Sequence, residues 1–341
     1  MPRGKGRPLR QASSIQLALA LLAAGLAGPA ASQIAVPREA GAPVPVPKEA
    51  VDSVDLGSEN RRRMTVPIRI GGHGPYPFVV DTGAERTIIS NELAGQLALG
   101  PGKPVRMHSM TGVGTVQTAL IPQLEMSRRL VSGIHAPLLR ERNLGASGIL
   151  GVDTLRSQRV DFDFARQKMD ITPSQKPSPR SDPGAIVISA RSLFGRLVLV
   201  DADLDGEKVV VVLDTGAEVT IGNEALRRKL ERKRKLRPVV PIELISVTGG
   251  TLTADYTQMK SMRLGNVRIS QMPIAFAKVH PFVQLQLEDR PAMLLGMDAL
   301  RLFSRVSVDF PKKKVSFLLP DSAMRQDMRM AAEAAAPVAL R

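Results

Sequence analysis

The chain has 341 residues, enough for two domains of ordinary size; 43% of them are apolar but only 3% are aromatic, and none is Trp. Its cores must therefore be built from Val, Ile, Leu and Met, and the absence of Cys excludes disulfides and thiolate metal sites. Net charge is +15, yet no aromatic residues interleave with the basic ones to stack bases, so nucleic acid is not an expected partner.

In chain order, the N-terminus reads as an export signal. Arg3, Lys5, Arg7 and Arg10 form a basic front, Leu17 to Leu26 is apolar, and Gly28-Pro29-Ala30-Ala31-Ser32 supplies small residues. A signal peptide over residues 1–32, cut before Gln33, predicts a periplasmic or secreted protein and leaves +11 on the mature chain. The apolar run falls short of the roughly 20 residues that span a bilayer, and an uncleaved anchor is the alternative. Residues 33–62 are rich in Pro and Ala without helical periodicity, and read as a disordered leader or a propeptide.

A first lobe is expected over residues 63–172. Val66-Pro67-Ile68-Arg69-Ile70 and Phe78-Val79-Val80 read as strands about a turn at Gly71–Pro75, and the second strand delivers Asp81-Thr82-Gly83-Ala84. A short helix follows, with Ser90 as its N-cap. Thr111-Gly112-Val113-Gly114 is a Gly-bearing turn between strand-like runs. Ile149-Leu150-Gly151 then leads into Val152-Asp153-Thr154-Leu155-Arg156, where Asp153 suits an N-cap. A hairpin through Asp163-Phe164 and Lys168-Met169-Asp170-Ile171 closes the lobe, and residues 173–186 read as a linker.

The second lobe, residues 187–319, repeats this order. Leu197-Val198-Leu199-Val200, a turn at Asp205-Gly206 and the run Val209 to Leu213 deliver Asp214-Thr215-Gly216-Ala217, 133 residues after the first copy. Both copies continue with Glu, a variable residue, Thr and Ile, and Asn223 caps the helix as Ser90 does. Thr248-Gly249-Gly250, Leu294-Leu295-Gly296, Met297-Asp298-Ala299-Leu300-Arg301 and the hairpin Asp309-Phe310 to Lys314-Val315-Ser316-Phe317 complete the match. The basic run 227–237 reads as a solvated helix face. The tail, 320–341, is rich in Met and Ala, lies outside the repeat and is assigned no function.

A duplicated loop that presents one carboxylate per copy suits chemistry needing a base and an acid together. Two charges about 3 Å apart at an effective dielectric of 20 repel by roughly 5 kcal/mol, so such a pair keeps one proton. The ionised member can take a proton from water while the other donates toward a carbonyl oxygen. Gly83 and Gly216, without a Cβ, let the two loops approach closely and aim backbone N–H groups at the carboxylates.

With these motifs the chain resembles the retropepsin-like aspartyl protease family, in a two-copy, single-chain form covering roughly 63–172 and 187–319. The resemblance implies an all-β, bilobed fold and a monomer with an internal pseudo-dimer. It implies an aspartic endopeptidase acting on peptide or protein substrates without a cofactor, with Asp81 and Asp214 as the dyad. It also implies that Thr82 and Thr215 cross-brace the loops through their hydroxyls. By the same resemblance, Ile149-Leu150-Gly151 and Leu294-Leu295-Gly296 brace the loops from behind. Thr111, Gly112 and Gly114, with Thr248, Gly249 and Gly250, fall where the family places its flaps. Departures are present too. Val152 and Met297 replace an Arg of retroviral proteases, and Glu85 and Glu218 replace an Asp that meets substrate backbone. Ala84 and Ala217 match retroviral proteases rather than the Ser or Thr of pepsins, and no Tyr adjoins either flap turn, Tyr256 lying downstream.

Other chemistries find less support. His73, His108, His135 and His280 are scattered without metal-ligand spacing, so no metal is expected, and Gly112-Val113-Gly114 lacks the helix of a dinucleotide fingerprint. Two alternatives stay open: a non-catalytic peptide-binding protein that keeps the fold, and a homodimer whose lobes pair across chains.

Overall fold

The computed structural model describes residues 52–55, 64–126, 129–175, 184–193, 195–199 and 202–320. The expected signal, most of the leader, residues 176–183 of the linker and the tail after Pro320 lie outside the described residues.

The first half runs β1 (Asp52–Asp55), β2 (Thr65–Ile70), β3 (His73–Val80), β4 (Ile88–Ser90) and α1 (Asn91–Gln96). It continues through β5 (Pro101–Ser109), β6 (Gly112–Met126), β7 (Arg129–Leu139), α2 (Glu141–Leu144), β8 (Gly148–Leu150), α3 (Val152–Leu155), β9 (Gln158–Asp163) and β10 (Lys168–Pro173). The second half begins with β11 (Ile186–Leu193), β12 (Arg196–Leu199), β13 (Ala202–Leu204), β14 (Glu207–Lys208), β15 (Val210–Leu213) and β16 (Ile221–Gly222). It ends with α4 (Glu224–Arg232), β17 (Val240–Ile245), β18 (Thr251–Leu264), β19 (Val267–Phe276), α5 (His280–Gln284), β20 (Ala292–Leu295), α6 (Met297–Leu300), β21 (Arg305–Asp309) and β22 (Lys314–Leu318). The fold is mostly β and two-lobed.

Local sequence explains the strands. In β2, Val66, Ile68 and Ile70 point inward while Pro67 and Arg69 point out, the period of two that a sheet with one wet face requires. Phe78-Val79-Val80 at the end of β3 is apolar throughout because it is covered on both faces. Phe78 and Val80 enter the main core, whereas Val79 packs with Ile88, Leu139, Leu144 and Ile149 in a smaller cluster. Val211 and Leu213 of β15 likewise enter the main core, and Val212 packs with Ile221 and Leu294 on the opposite face.

In lobe 1 the order β2-β3-β8-β4-β7-β6 returns to β2 through Arg69↔Glu125 and Ile70↔Leu124, which closes a six-stranded barrel. In lobe 2, β12 pairs with β15 and β13 with β18, the two pairings that β2 alone makes with β3 and β6. Ser90 and Asn223 cap α1 and α4 as expected, each accepting a hydrogen bond from a backbone N–H three residues on.

The closing hairpins join the halves. β9 of lobe 1 lies antiparallel to β21 of lobe 2, within the strand order β1-β10-β9-β21-β22-β11. β1 falls in the stretch read as leader, where no structure is expected, and forms the edge of this shared sheet on β10. The linker's first residues are structural as well: Pro173 ends β10, and buried Ser174 donates to Asp309 Oδ1 at 2.6 Å.

Candidate active site

The strand registers deliver Asp81 and Asp214 to one place. β3 is parallel to β8 and β15 to β20, so the Asp81 N–H reaches Leu150 O at 3.0 Å and the Asp214 N–H reaches Leu295 O at 3.1 Å. Behind the loops, Gly151 and Gly296 lie against the backbone of Arg86 and Val219, at a separation that leaves no room for a Cβ. Ile149-Leu150-Gly151 and Leu294-Leu295-Gly296 thus back the two loops.

The loops then lock to each other. Thr82 N–H donates to Thr215 Oγ1 (3.0 Å) and Thr215 N–H to Thr82 Oγ1 (3.1 Å). Each hydroxyl in turn donates across the lobe boundary, Thr82 to Leu213 O (3.0 Å) and Thr215 to Val80 O (2.7 Å). Both threonines are essentially fully buried, so these four bonds are made away from water, where leaving one unmade is costly.

The interlock sets the carboxylates face to face with the opposing loop. A Cβ on Gly83 would sit 2.7 Å from Asp214 Cγ, and one on Gly216 would collide with the Asp81 carboxylate. Within its own loop each carboxylate is aimed by two N–H donors. Gly83 and Ala84 reach Asp81 Oδ1 at 2.7 and 3.0 Å, and Gly216 and Ala217 reach Asp214 Oδ1 at 3.1 Å each.

Above this pair lies a cleft of about 620 Å³ lined from both lobes. Its floor carries Asp81 and Asp214, and its walls carry Ile88, Ile149, Val219, Ile221 and Leu294. The hairpins β5–β6 and β17–β18 form its roof. In lobe 2, Thr248, Gly249 and Gly250 occupy the hairpin tip between Ile245 and Thr251. In lobe 1 the tip is Met110-Thr111; of the expected turn only Thr111 belongs to it, because Gly112, Val113 and Gly114 already pair with Ser109, His108 and Met107. The tips meet each other, with Thr248 Oγ1 donating to Ser109 Oγ at 3.2 Å, and each rests on the opposite lobe. Met110 O accepts from the His280 N–H of α5, and Gly249 lies against Asn143 of α2.

Asp153 and Asp298 correct the sequence reading. They are not N-caps: Gly151 and Gly296 hold those positions. Their carboxylates instead take the N–H and hydroxyl of Thr87 and Thr220, tying the segment after each Asp-Thr-Gly-Ala loop to the short helix behind it. The two threonines recur at the repeat offset and were the available signal; the Asp–Thr pairing exists only in three dimensions. Two of the scattered histidines also come together, His108 Nδ1 and His280 Nε2 standing 2.8 Å apart with the rings stacked. Glu85 accepts from Gln284 Nε2 of lobe 2 at 3.1 Å, and Tyr256 is half-buried in β18, away from both tips. Among the described residues no group of three or more His, Cys, Asp or Glu is arranged to hold a metal, and no helix is long and apolar enough to cross a membrane.

Residues 66–157 match the family described as "gag-polyprotein putative aspartyl protease", and residues 200–299 match the one described as "Aspartyl protease". Each match spans one Asp-Thr-Gly-Ala loop and the segment that backs it. No curated protein matches the chain.

Proposed function

We propose, from the premise that this chain is a retropepsin-like aspartyl protease with two repeats in tandem, that Asp81 and Asp214 are its catalytic dyad and that it cleaves peptide chains internally. The observation that carries this reading is the interlock of the two loops, which seats each carboxylate against the glycine of the other. Carboxylates so placed share a proton. The ionised one takes a proton from a water as that water attacks the scissile carbonyl carbon, and the protonated one donates to the carbonyl oxygen. Collapse of the tetrahedral intermediate returns a proton to the departing amine.

The surroundings suit this chemistry. The N–H groups of residues 83, 84, 216 and 217 fix the carboxylates without needing to reorganise during the reaction. The hairpin tips that meet over the cleft cover it, and their opening would admit an extended peptide.

Asp81→Asn and Asp214→Asn tests the reading on a mixed peptide library. Each single variant should lose turnover by several orders of magnitude with its melting temperature little changed, and the double variant should be no worse than either single, because the residues act as a unit. Substantial turnover in one single variant would sink the shared dyad. A wild-type protein that binds peptides without cleaving them would mark a binding protein instead.

A further inference from the structure

Arg196 opens β12 and lines the same cleft, yet it is only 9% exposed. A guanidinium stays charged at any pH a protein meets and offers five N–H donors. Among the described residues one of these reaches an acceptor: Nη2 donates to Gln284 Oε1 at 3.3 Å. The Nε–H is buried with no acceptor among the described residues. No carboxylate of the described residues pairs with Arg196, and Gln284 stands between it and Glu85, its amide nitrogen donating to that carboxylate at 3.1 Å. The other arginines of the cleft, Arg86, Arg106 and Arg142, are exposed and can be satisfied by water.

A buried charge with unmet donors is costly unless something supplies the acceptors. Because Arg196 faces the cleft, that acceptor can arrive with the substrate. We propose that Arg196 is a specificity-determining residue that receives a carboxylate of the bound peptide. The two Nη groups at the end of the guanidinium match a carboxylate's two oxygens, a charge-assisted pair that Lys cannot reproduce. Gln284 holds the fork in place and keeps Glu85 from occupying it. The carboxylate is either an acidic side chain of the peptide or its C-terminus, and the chemistry is the same for both.

The inference rests on the peptidase reading, and its test separates the two. Peptides are compared in pairs on the full chain: Glu against Gln at each position around the scissile bond, and free against amidated C-termini. The wild type should prefer one acidic member by about 10- to 100-fold in kcat/KM, chiefly through KM, and the pair that shows it identifies the source of the carboxylate. Arg196→Met should bring that ratio close to one, and Arg196→Lys should leave it intermediate. No acid preference in any wild-type pair, or a wild-type ratio in a folded Arg196→Met, overturns the proposal. If Arg196→Met fails to fold, Arg196→Lys decides alone, an unchanged ratio counting against the fork. If no peptide is cleaved, the peptidase reading fails. Fluorescence polarisation with the same labelled pairs on the Asp214→Asn protein then decides the inference: an acid preference upholds it, and equal binding overturns it.

Discussion

Thr87 and Thr220 each give a hydroxyl and a backbone N–H to a single carboxylate, Asp153 in lobe 1 and Asp298 in lobe 2. None of these four residues lines the cleft, but the pairs set the position of the segment that follows each Asp-Thr-Gly-Ala loop. Burial of its carboxylate pushes Asp298 up to about 6, although the donors from Thr220 and Ala299 pull the other way. An unfolded Asp titrates near 3.9, so between roughly pH 4 and 6 the folded chain holds a proton that the unfolded chain has released. Stability from this site is therefore fully present below about pH 4, falls as pH rises through about 6, and is flat beyond. Asp298→Asn resembles the protonated carboxyl and does not titrate. The melting temperature of the wild type minus that of Asp298→Asn should decline from pH 4 to pH 6.5 and then level off. A difference that stays constant across this range would show that Asp298 ionises alike in both states.

Among the elements, the two hairpins over the cleft differ in how they are held. The lobe 2 tip, Ser246 to Gly250, is tied internally by the Ser246 N–H to Gly250 O and the Gly249 N–H to Ser246 O. The lobe 1 tip is a two-residue turn closed by Ser109 Oγ donating to Gly112 O at 3.2 Å; besides its contact with Thr248, it is anchored on α5 of lobe 2 through the Met110 carbonyl and the His108–His280 contact. Burial and the neighbouring His108 lower the His280 titration, while Glu288 acts weakly in the opposite sense. A histidine held neutral by its contact loses that contact when the pH falls below its free value near 6.5, since the released ring takes the proton more readily. Acid should thus loosen the lobe 1 hairpin more than the lobe 2 tip. Amide hydrogen exchange over residues 105–114, corrected for the intrinsic pH effect, should rise between pH 7.5 and 5 in the wild type and stay level in His108→Phe. Equal change in both proteins would show that the histidine pair does not govern this flap.

At the scale of the whole molecule, the lobes are joined by more than their covalent link. β9 and β21 pair along Arg305↔Asp163 to Asp309↔Arg159, and Phe162, Val306, Val308 and Phe317 are fully buried beneath the shared sheet. The threonine interlock adds hydrogen bonds in both directions across the same boundary. A chain cut within residues 176–183 should therefore remain one particle on size exclusion at micromolar concentration, and should keep any peptidase activity of the intact chain. Dissociation of the two pieces under native conditions would show that linkage, through the effective concentration it provides, is what holds the lobes together. The intact chain should sediment as a monomer, because each lobe already finds its partner within the chain.

Much of this architecture was legible in the sequence because it is carried by local pattern repeated at a fixed offset. The alternation in Val66 to Ile70 requires a strand with one buried face, Ser90 and Asn223 require helix starts, and two Asp-Thr-Gly-Ala loops behind apolar strands require two equivalent lobes. What the repeat leaves open is everything that depends on one lobe meeting the other. The β9–β21 pairing, the two-residue tip of the first flap, the role of Asp153 and Asp298, the contact between His108 and His280, and the isolation of Arg196 behind Gln284 join residues far apart along the chain. Periodicity and capping act over a few residues, so they determine elements and their order. Which side chains share a buried charge or a hydrogen bond is set by how the two lobes pack, and that is decided only when the chain has folded.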